Sequence, residues 1–315
     1  MEFETIPTIP TADEIMDRSL RRAAKAMREK RNRDRANEEF VRAIASSVYD
    51  KLSDLVTKFP SFDSLPPFYR ETVQILFNVD RMRKSLGALS WAAAQSREVG
   101  YGYAREMRHA PDTASARKQA TARISSIVHQ VDGDLRFLNE ARNVLRKLPH
   151  IGDEFTVVVA GYPNVGKSSF IRLASSAEPE VAGYPFTTKQ IVVGHREIGR
   201  RERMQFVDTP GILDRPEEER NPIEQQALAA IANVADVVLF ILDPSEACGY
   251  TLADQLHLLD DIREKMDLVP VEVAVNKADL QSLEGYANMS TMTGAGVEDV
   301  VARLLTHRGS SPRSP

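Results

Sequence analysis

The run Gly161, Tyr162, Pro163, Asn164, Val165, Gly166, Lys167, Ser168 constrains this chain more than any other feature. It fits the phosphate-loop pattern, in which glycines let backbone N–H groups wrap phosphate oxygens and a Lys-Ser pair follows. The context fits as well. Phe155–Ala160, just ahead, is an apolar, β-branched run that reads as a buried strand, and the spacing behind predicts a helix over 167–174. A helix N-terminus adds a dipole that favours anions. In this pattern Lys167 reaches the β- and γ-phosphates of a nucleotide and Ser168 ligates Mg²⁺, with Ser169 beside them in the binding set.

Three further segments lie at strand ends downstream. Asn276, Lys277, Ala278 and Asp279 follow the apolar run Val271–Val275. A carboxylate at Asp279 accepts from both guanine N1–H and N2–H₂; adenine offers no such donor pair, so it would leave the carboxylate unpaired. Asn276 is expected to tie this loop to the phosphate loop, and the Lys277 stem to cover one face of the base. Asp208, Thr209, Pro210 and Gly211 close the run Met204–Val207. Asp208 suits Mg²⁺ through water, and the Gly211 N–H suits a γ-phosphate whose departure would release the segment after it. Ser290, Thr291 and Met292 precede the last helical stretch, where backbone N–H groups near Thr291 face guanine O6.

Organisation along the chain agrees. Before residue 150 apolar residues recur in steps of three and four, as at Val41, Ile44, Val48, Leu52 and Leu55, and in one long stripe from Ala120 to Leu145. That pattern predicts a bundle of four or five helices over 1–150, with a capping box at Thr11 and Glu14. From 151 to 307, apolar strands alternate with helices, including one expected near 223–234, which predicts an α/β domain with a mostly parallel sheet. Gly199–Glu202 is too short for a crossover, so the strands it joins form an antiparallel hairpin. Residues 308–315 read as a disordered tail. The expected fold class is therefore α/β, a P-loop domain with a mostly parallel sheet preceded by an all-α bundle.

Charge separates the halves. Residues 1–150 carry 26 Lys+Arg against 20 Asp+Glu, a balance of +6, while the rest carries 15 against 25, a balance of −10. A basic half favours polyanions. The single Cys248 excludes an intrachain disulfide framework and is expected to be a small packing residue. No apolar run is long enough to span a bilayer, and the start lacks a secretory signal, so a soluble, cytoplasmic monomer without membrane contact is expected.

The order and spacing of these elements resemble the translation-factor-like GTPases over 155–306. Tyr184, Pro185, Phe186, Thr187 and Thr188 resemble the first switch of the Obg subfamily, and that resemblance makes Thr188 the second protein ligand of Mg²⁺, with Phe186 and Thr187 in the nucleotide set. Asp243–Tyr250 with Leu252 and Gln255, the helical first half, and Pro66–Tyr69 resemble the nucleolar GTP-binding protein 1 family more narrowly. The likeness covers nearly the whole chain and implies an assembly factor for the large ribosomal subunit that binds GTP and GDP, contacts ribosomal RNA and precursor particles, and would be nucleolar in a eukaryote. Eukaryotic members continue far beyond the GTPase domain, so the short form looks archaeal.

Two mechanistic expectations follow. Ile212 stands where Ras-like switches carry a water-orienting glutamine; either another residue orients the water and hydrolysis is normal, or intrinsic hydrolysis is slow, which is the expectation. Asn164 stands where related GTPases carry a K⁺-coordinating Asn; the alternative is an Asn chosen for turn geometry. Catalysis would thus rest on Lys167, Thr188, Gly211 and Asn164. For RNA, the candidates are Arg18–Arg35, with nine Lys/Arg against two acids, and the stretch Arg97, Tyr101, Tyr103, Arg105, Arg108 and His109. A solvated helix face and tyrosines packed into the bundle are the plainer readings of these stretches. A regulatory switch that binds a protein effector without RNA contact is the alternative function; an RNA-processing factor with an active site in the bundle is disfavoured by the lack of any catalytic constellation there.

Overall fold

The computed structural model describes residues 3–148, 150–152, 154–183, 190–200, 202–208, 234–266 and 268–308. The chain divides into two compact units, Met1–Leu65 with Leu76–Arg146, and Pro66–Ile75 with Lys147–Pro315.

Six helices precede residue 146: α1 Ala12–Arg28, α2 Arg33–Lys58, α3 Pro67–Phe77, α4 Val79–Glu106, α5 Thr113–Gln130 and α6 Asp132–Leu145. Their starts are chemically marked. Thr11 and Glu14 form the reciprocal capping box, and Asn32, Asn78 and Asp112 each accept two N–H groups of the helix they open. Each such cap stabilises its helix by about 1 kcal/mol. The first unit is centred on α2 and α4, with Val41, Ile44, Val48, Leu52 and Leu55 wholly buried. Gly100 permits their close approach, since a Cβ there would run into the Cβ of Ala45.

One expectation is corrected here. The stripe from Ala120 to Leu145 is two helices, broken at Val131 (φ −104°, ψ 12°), while α3 falls almost wholly in the second unit, so among the described residues the first unit holds five helices, α1, α2, α4, α5 and α6. A single-residue break leaves the three-and-four spacing almost in phase, and periodicity does not register it. Asp132, just past the break, accepts the Ala12 N–H at 2.8 Å and so brings α6 to the start of α1.

In the second unit the described elements are β1 Phe155–Ala160, α7 Lys167–Ala174, β2 Glu180–Gly183, β3 Gln190–Gly199, β4 Glu202–Asp208, β5 Val237–Leu242, α8 Leu252–Lys265, β6 Val271–Val275, β7 Ala287–Asn288 and α9 Val297–Thr306. They build a seven-stranded sheet in the order β2-β3-β4-β1-β5-β6-β7. β4, β1, β5, β6 and β7 pair in parallel, while β3 is antiparallel to β4 and β2 to β3. The β3–β4 hairpin, closed by the pair Gly199 and Glu202, matches the sequence expectation. β2 was not anticipated; four residues at a sheet edge are too few to establish an alternation. β5 is buried along its whole length, as a central strand covered on both faces must be. Each such Val, Leu, Ile or Phe stabilises the unit by roughly 1.5–3 kcal/mol relative to exposure. The carboxyl ends of β1, β4, β5 and β6 therefore open on one edge of the sheet, where ligands of open α/β sheets bind. The helix expected near 223–234 lies outside the described residues, apart from its last position.

Candidate functional site

The phosphate loop leaves β1 at Gly161 (φ 130°) and enters α7 at Gly166 (φ 105°), both in backbone conformations that side chains disfavour. A Cβ on Gly161 would also approach the Ile241 carbonyl to 2.6 Å. Asn164 stands at φ 64°, a left-handed position that Asn tolerates, so turn geometry accounts for the residue type without an ion. Tyr162 and Val165 are buried, Pro163 half-buried, and Asn164, Ser168 and Ser169 exposed. The Lys167 ammonium folds back over the loop and donates to the carbonyls of Gly161 (2.8 Å) and Tyr162 (2.9 Å). It thereby holds a full positive charge within the curl of the loop, at the mouth of α7. The Ser168 hydroxyl donates to a carboxylate oxygen of Asp208, at the end of β4, at 2.6 Å. Hydroxyl and carboxylate from two elements thus converge beside the loop. These are hard oxygen donors, the type Mg²⁺ takes.

The base loop follows β6. Asn276 is wholly buried, and its amide joins three segments. Nδ2 donates to the Val165 carbonyl (2.7 Å) and to the Thr291 hydroxyl (3.0 Å), while Oδ1 accepts the Thr291 N–H (2.9 Å). One side chain therefore links the phosphate loop, the base loop and the Ser290–Met292 segment. The Ser290 hydroxyl, buried beneath this segment, accepts the Thr293 N–H at 3.3 Å. Asp279 and Met292 are exposed at the rim.

Lys277 has φ 57°, which costs a side-chain-bearing residue about 1–2 kcal/mol. Its ammonium lies 2.6 Å from a carboxylate oxygen of Asp243, a residue with no exposed surface at the end of β5. Burial pushes the Asp243 carboxyl up, but hydrogen bonds from Lys277 and Ser245 outweigh it and hold the group below the ordinary carboxylate range. The Cys248 N–H adds a bond at 2.9 Å. Cys248 itself is buried, and burial raises its thiol, consistent with a packing residue. Gln255, in the first turn of α8 and wholly buried, accepts the Asp243 N–H (2.8 Å) and donates to the Asp243 carbonyl (2.9 Å). The ring of Tyr250 stacks on Tyr162 of the phosphate loop, centroids 4.2 Å apart. The reading from residues alone assigned no contacts to Asp243, Tyr250 and Gln255. The available signal was an Asp closing an apolar strand, because a buried charge requires a partner.

Phe186, Thr187, Thr188, Thr209, Pro210, Gly211 and Ile212 lie outside the described residues. In the first unit, Arg28, Arg31 and Arg33 are exposed around the α1–α2 turn. Tyr103 packs against Val41, Met107 and Ala120, while the partly exposed Tyr101 carries the guanidinium groups of Arg42 and Arg97 over its ring. Arg108 donates to Glu38. Among the described residues no helix is long and apolar enough to cross a membrane.

Fold and loops together define the second unit as a P-loop GTPase domain. Residues 3–152 match the NOG1 N-terminal helical domain and residues 222–279 match nucleolar GTP-binding protein 1 (NOG1). The chain belongs to the nucleolar GTP-binding protein 1 family. It is 43% identical to an uncharacterized protein of Methanocaldococcus jannaschii over 88% of this chain and 81% of that one. It is 32% identical to nucleolar GTP-binding protein 1 of Caenorhabditis elegans over 98% of this chain and 47% of the relative, so it spans about half the length of that protein. A crystal structure described as nucleolar GTP-binding protein 1 from Plasmodium falciparum is 33% identical, covers 51% of this chain and 89% of its own, and superposes with a TM-score of 0.45.

Proposed function

We propose that this chain binds and hydrolyses GTP with Mg²⁺ and acts as an assembly factor for the large ribosomal subunit, its N-terminal helices contacting ribosomal RNA. The observation that best supports guanine-nucleotide binding is the triple link of Asn276 to Val165 and Thr291, which ties the phosphate loop to the loop that carries Asp279. Asp279 is exposed at the rim, able to accept the guanine N1–H and N2–H₂. Gly161–Ser169 would cradle the phosphates, and Lys167 would exchange its two loop carbonyls for phosphate oxygens. That exchange keeps the ammonium paired throughout. Ser168 directly, Asp208 through water, and Thr188 would hold Mg²⁺, which when bound neutralises charge on the β- and γ-phosphates. The ribosomal role rests on family membership and on the basic balance of residues 1–150.

Equilibrium binding of GTP and ATP to the purified chain tests the base reading: GTP should be strongly preferred, and Asp279→Asn should move the preference toward xanthine nucleotides. Equal affinity for ATP would end the guanine assignment. Sedimentation with ribosomal particles, with and without a nonhydrolysable GTP analogue, tests the partner. Absence from large-subunit fractions in both states would favour the second reading, a nucleotide-dependent switch that binds a protein effector.

A further inference from the structure

The segment 243–255 touches both halves of the nucleotide site without belonging to either loop. At one end the Asp243 carboxylate holds the Lys277 ammonium at 2.6 Å. At the other, Tyr250 stacks on Tyr162. Between them, Gln255 grips both backbone groups of Asp243 and donates to the Tyr250 carbonyl at 3.1 Å. A single buried amide thus fixes both contact points. The α8 cap, in which Thr251 and Asp254 bond reciprocally, closes the segment against its helix.

Resting on the GTP-binding reading above, we propose that Asp243 is a positioning residue for guanine recognition. It orders Lys277 so that the lysine stem is already extended beside the base position before a nucleotide arrives. The physical grounds are two. A lysine side chain has large rotamer freedom, and ordering it in advance removes that entropy from the binding step. Asp243 is wholly buried; Ser245 and the Cys248 N–H give its carboxylate hydrogen bonds, and Lys277 gives it the opposite charge. Each partner therefore pins the other, while the left-handed backbone of Lys277 (φ 57°) is held by its own carbonyl, which accepts the Leu280 N–H at 2.8 Å and the Gln281 N–H at 3.1 Å. Tyr250 does the corresponding work at the phosphate loop, keeping Tyr162 packed so that the loop does not open.

The test separates the two ends of the nucleotide. GDP and inorganic tripolyphosphate, each with Mg²⁺, are titrated calorimetrically into the intact chain and its variants. Asp243→Asn keeps the shape and the acceptor oxygen but removes the charge; it should weaken GDP by about tenfold or more and leave tripolyphosphate within about twofold. Retained tripolyphosphate binding shows in the same variant that the site is folded. The exposed edge of Tyr250 allows a second variant: Tyr250→Ala should weaken both ligands, and Tyr250→Phe should restore both. Unchanged GDP affinity in Asp243→Asn, or equal loss of both ligands, overturns the positioning role, and no effect of Tyr250→Ala overturns the phosphate-loop brace. A wild-type chain that binds no GDP overturns the GTP-binding reading and this inference together, whereas normal wild-type binding with an indifferent Asp243→Asn variant overturns the inference alone.

Discussion

Asn276 donates to the Val165 carbonyl at 2.7 Å, across 111 positions of sequence, and no water-exposed surface remains on the asparagine. Removing its amide strands a loop carbonyl and the Thr291 N–H. Each stranded buried group costs about 1–3 kcal/mol. Asn276→Ala should therefore lower unfolding stability by about 2–6 kcal/mol, and weaken GDP and GTP together. Chemical denaturation and nucleotide titration of the same sample check both effects. Full affinity in a destabilised variant would restrict the residue to a structural role.

Lys167→Ala and Ser168→Ala should each reduce GTP hydrolysis to background. The first removes the only ammonium inside the loop curl among the described residues, and the second removes the hydroxyl that faces Asp208. Phosphate release under saturating GTP is the measurement. Turnover at the wild-type rate in both variants would remove these residues from catalysis.

Asn164 offers a sharper choice. Its left-handed backbone explains an asparagine by geometry alone, whereas a K⁺ ion beside the phosphates would need its side-chain oxygen. If the ion operates, hydrolysis is faster in KCl than in NaCl at equal ionic strength, and Asn164→Ala abolishes the difference while Asn164→Gly does the same without strain. Equal rates in the two salts for the wild type dismiss the ion.

The exposed cluster at the α1–α2 turn should matter for RNA and not for nucleotide. Replacing Arg28, Lys30, Arg31 and Arg33 together by Glu changes the local charge by eight units. Affinity for ribosomal RNA should fall by about 1000-fold or more at low salt, since lost phosphate contacts also lose their counterion release. GTP affinity should stay at the wild-type value. Filter binding across a salt series, with nucleotide titration in parallel, is the check; RNA binding that survives the reversal would move the interface elsewhere.

Much of the fold was legible because its signals are local. The capping box at Thr11 and Glu14, the fully apolar β5 and the short Gly199–Glu202 link each encode their geometry within a few residues. The break at Val131 and the edge strand β2 were hidden because neither disturbs a period long enough to read. In the site, Asn276 was readable from its place in a loop pattern. Asp243 was not, because its partner Lys277 comes from a different strand end, and only the β5–β6 pairing brings them together. Gln255 carried still less signal; a buried glutamine looks like any surface glutamine until the backbone it serves is known.

The placement of β1 also dictates an order of assembly as the chain is made. Every segment of the helical unit has been synthesised once Arg146 has. β1 comes next, but its ladder neighbours are Met204–Asp208 and Val237–Phe240. Until the first has been translated this apolar strand has two unsatisfied edges, and until the second it still has one. Parallel pairing at such separation is slow, and an apolar strand left open meanwhile invites foreign pairing. A nascent chain stalled between Asp208 and Val237 would therefore carry a finished helical unit joined to half a sheet, the point in its synthesis at which it most needs shelter.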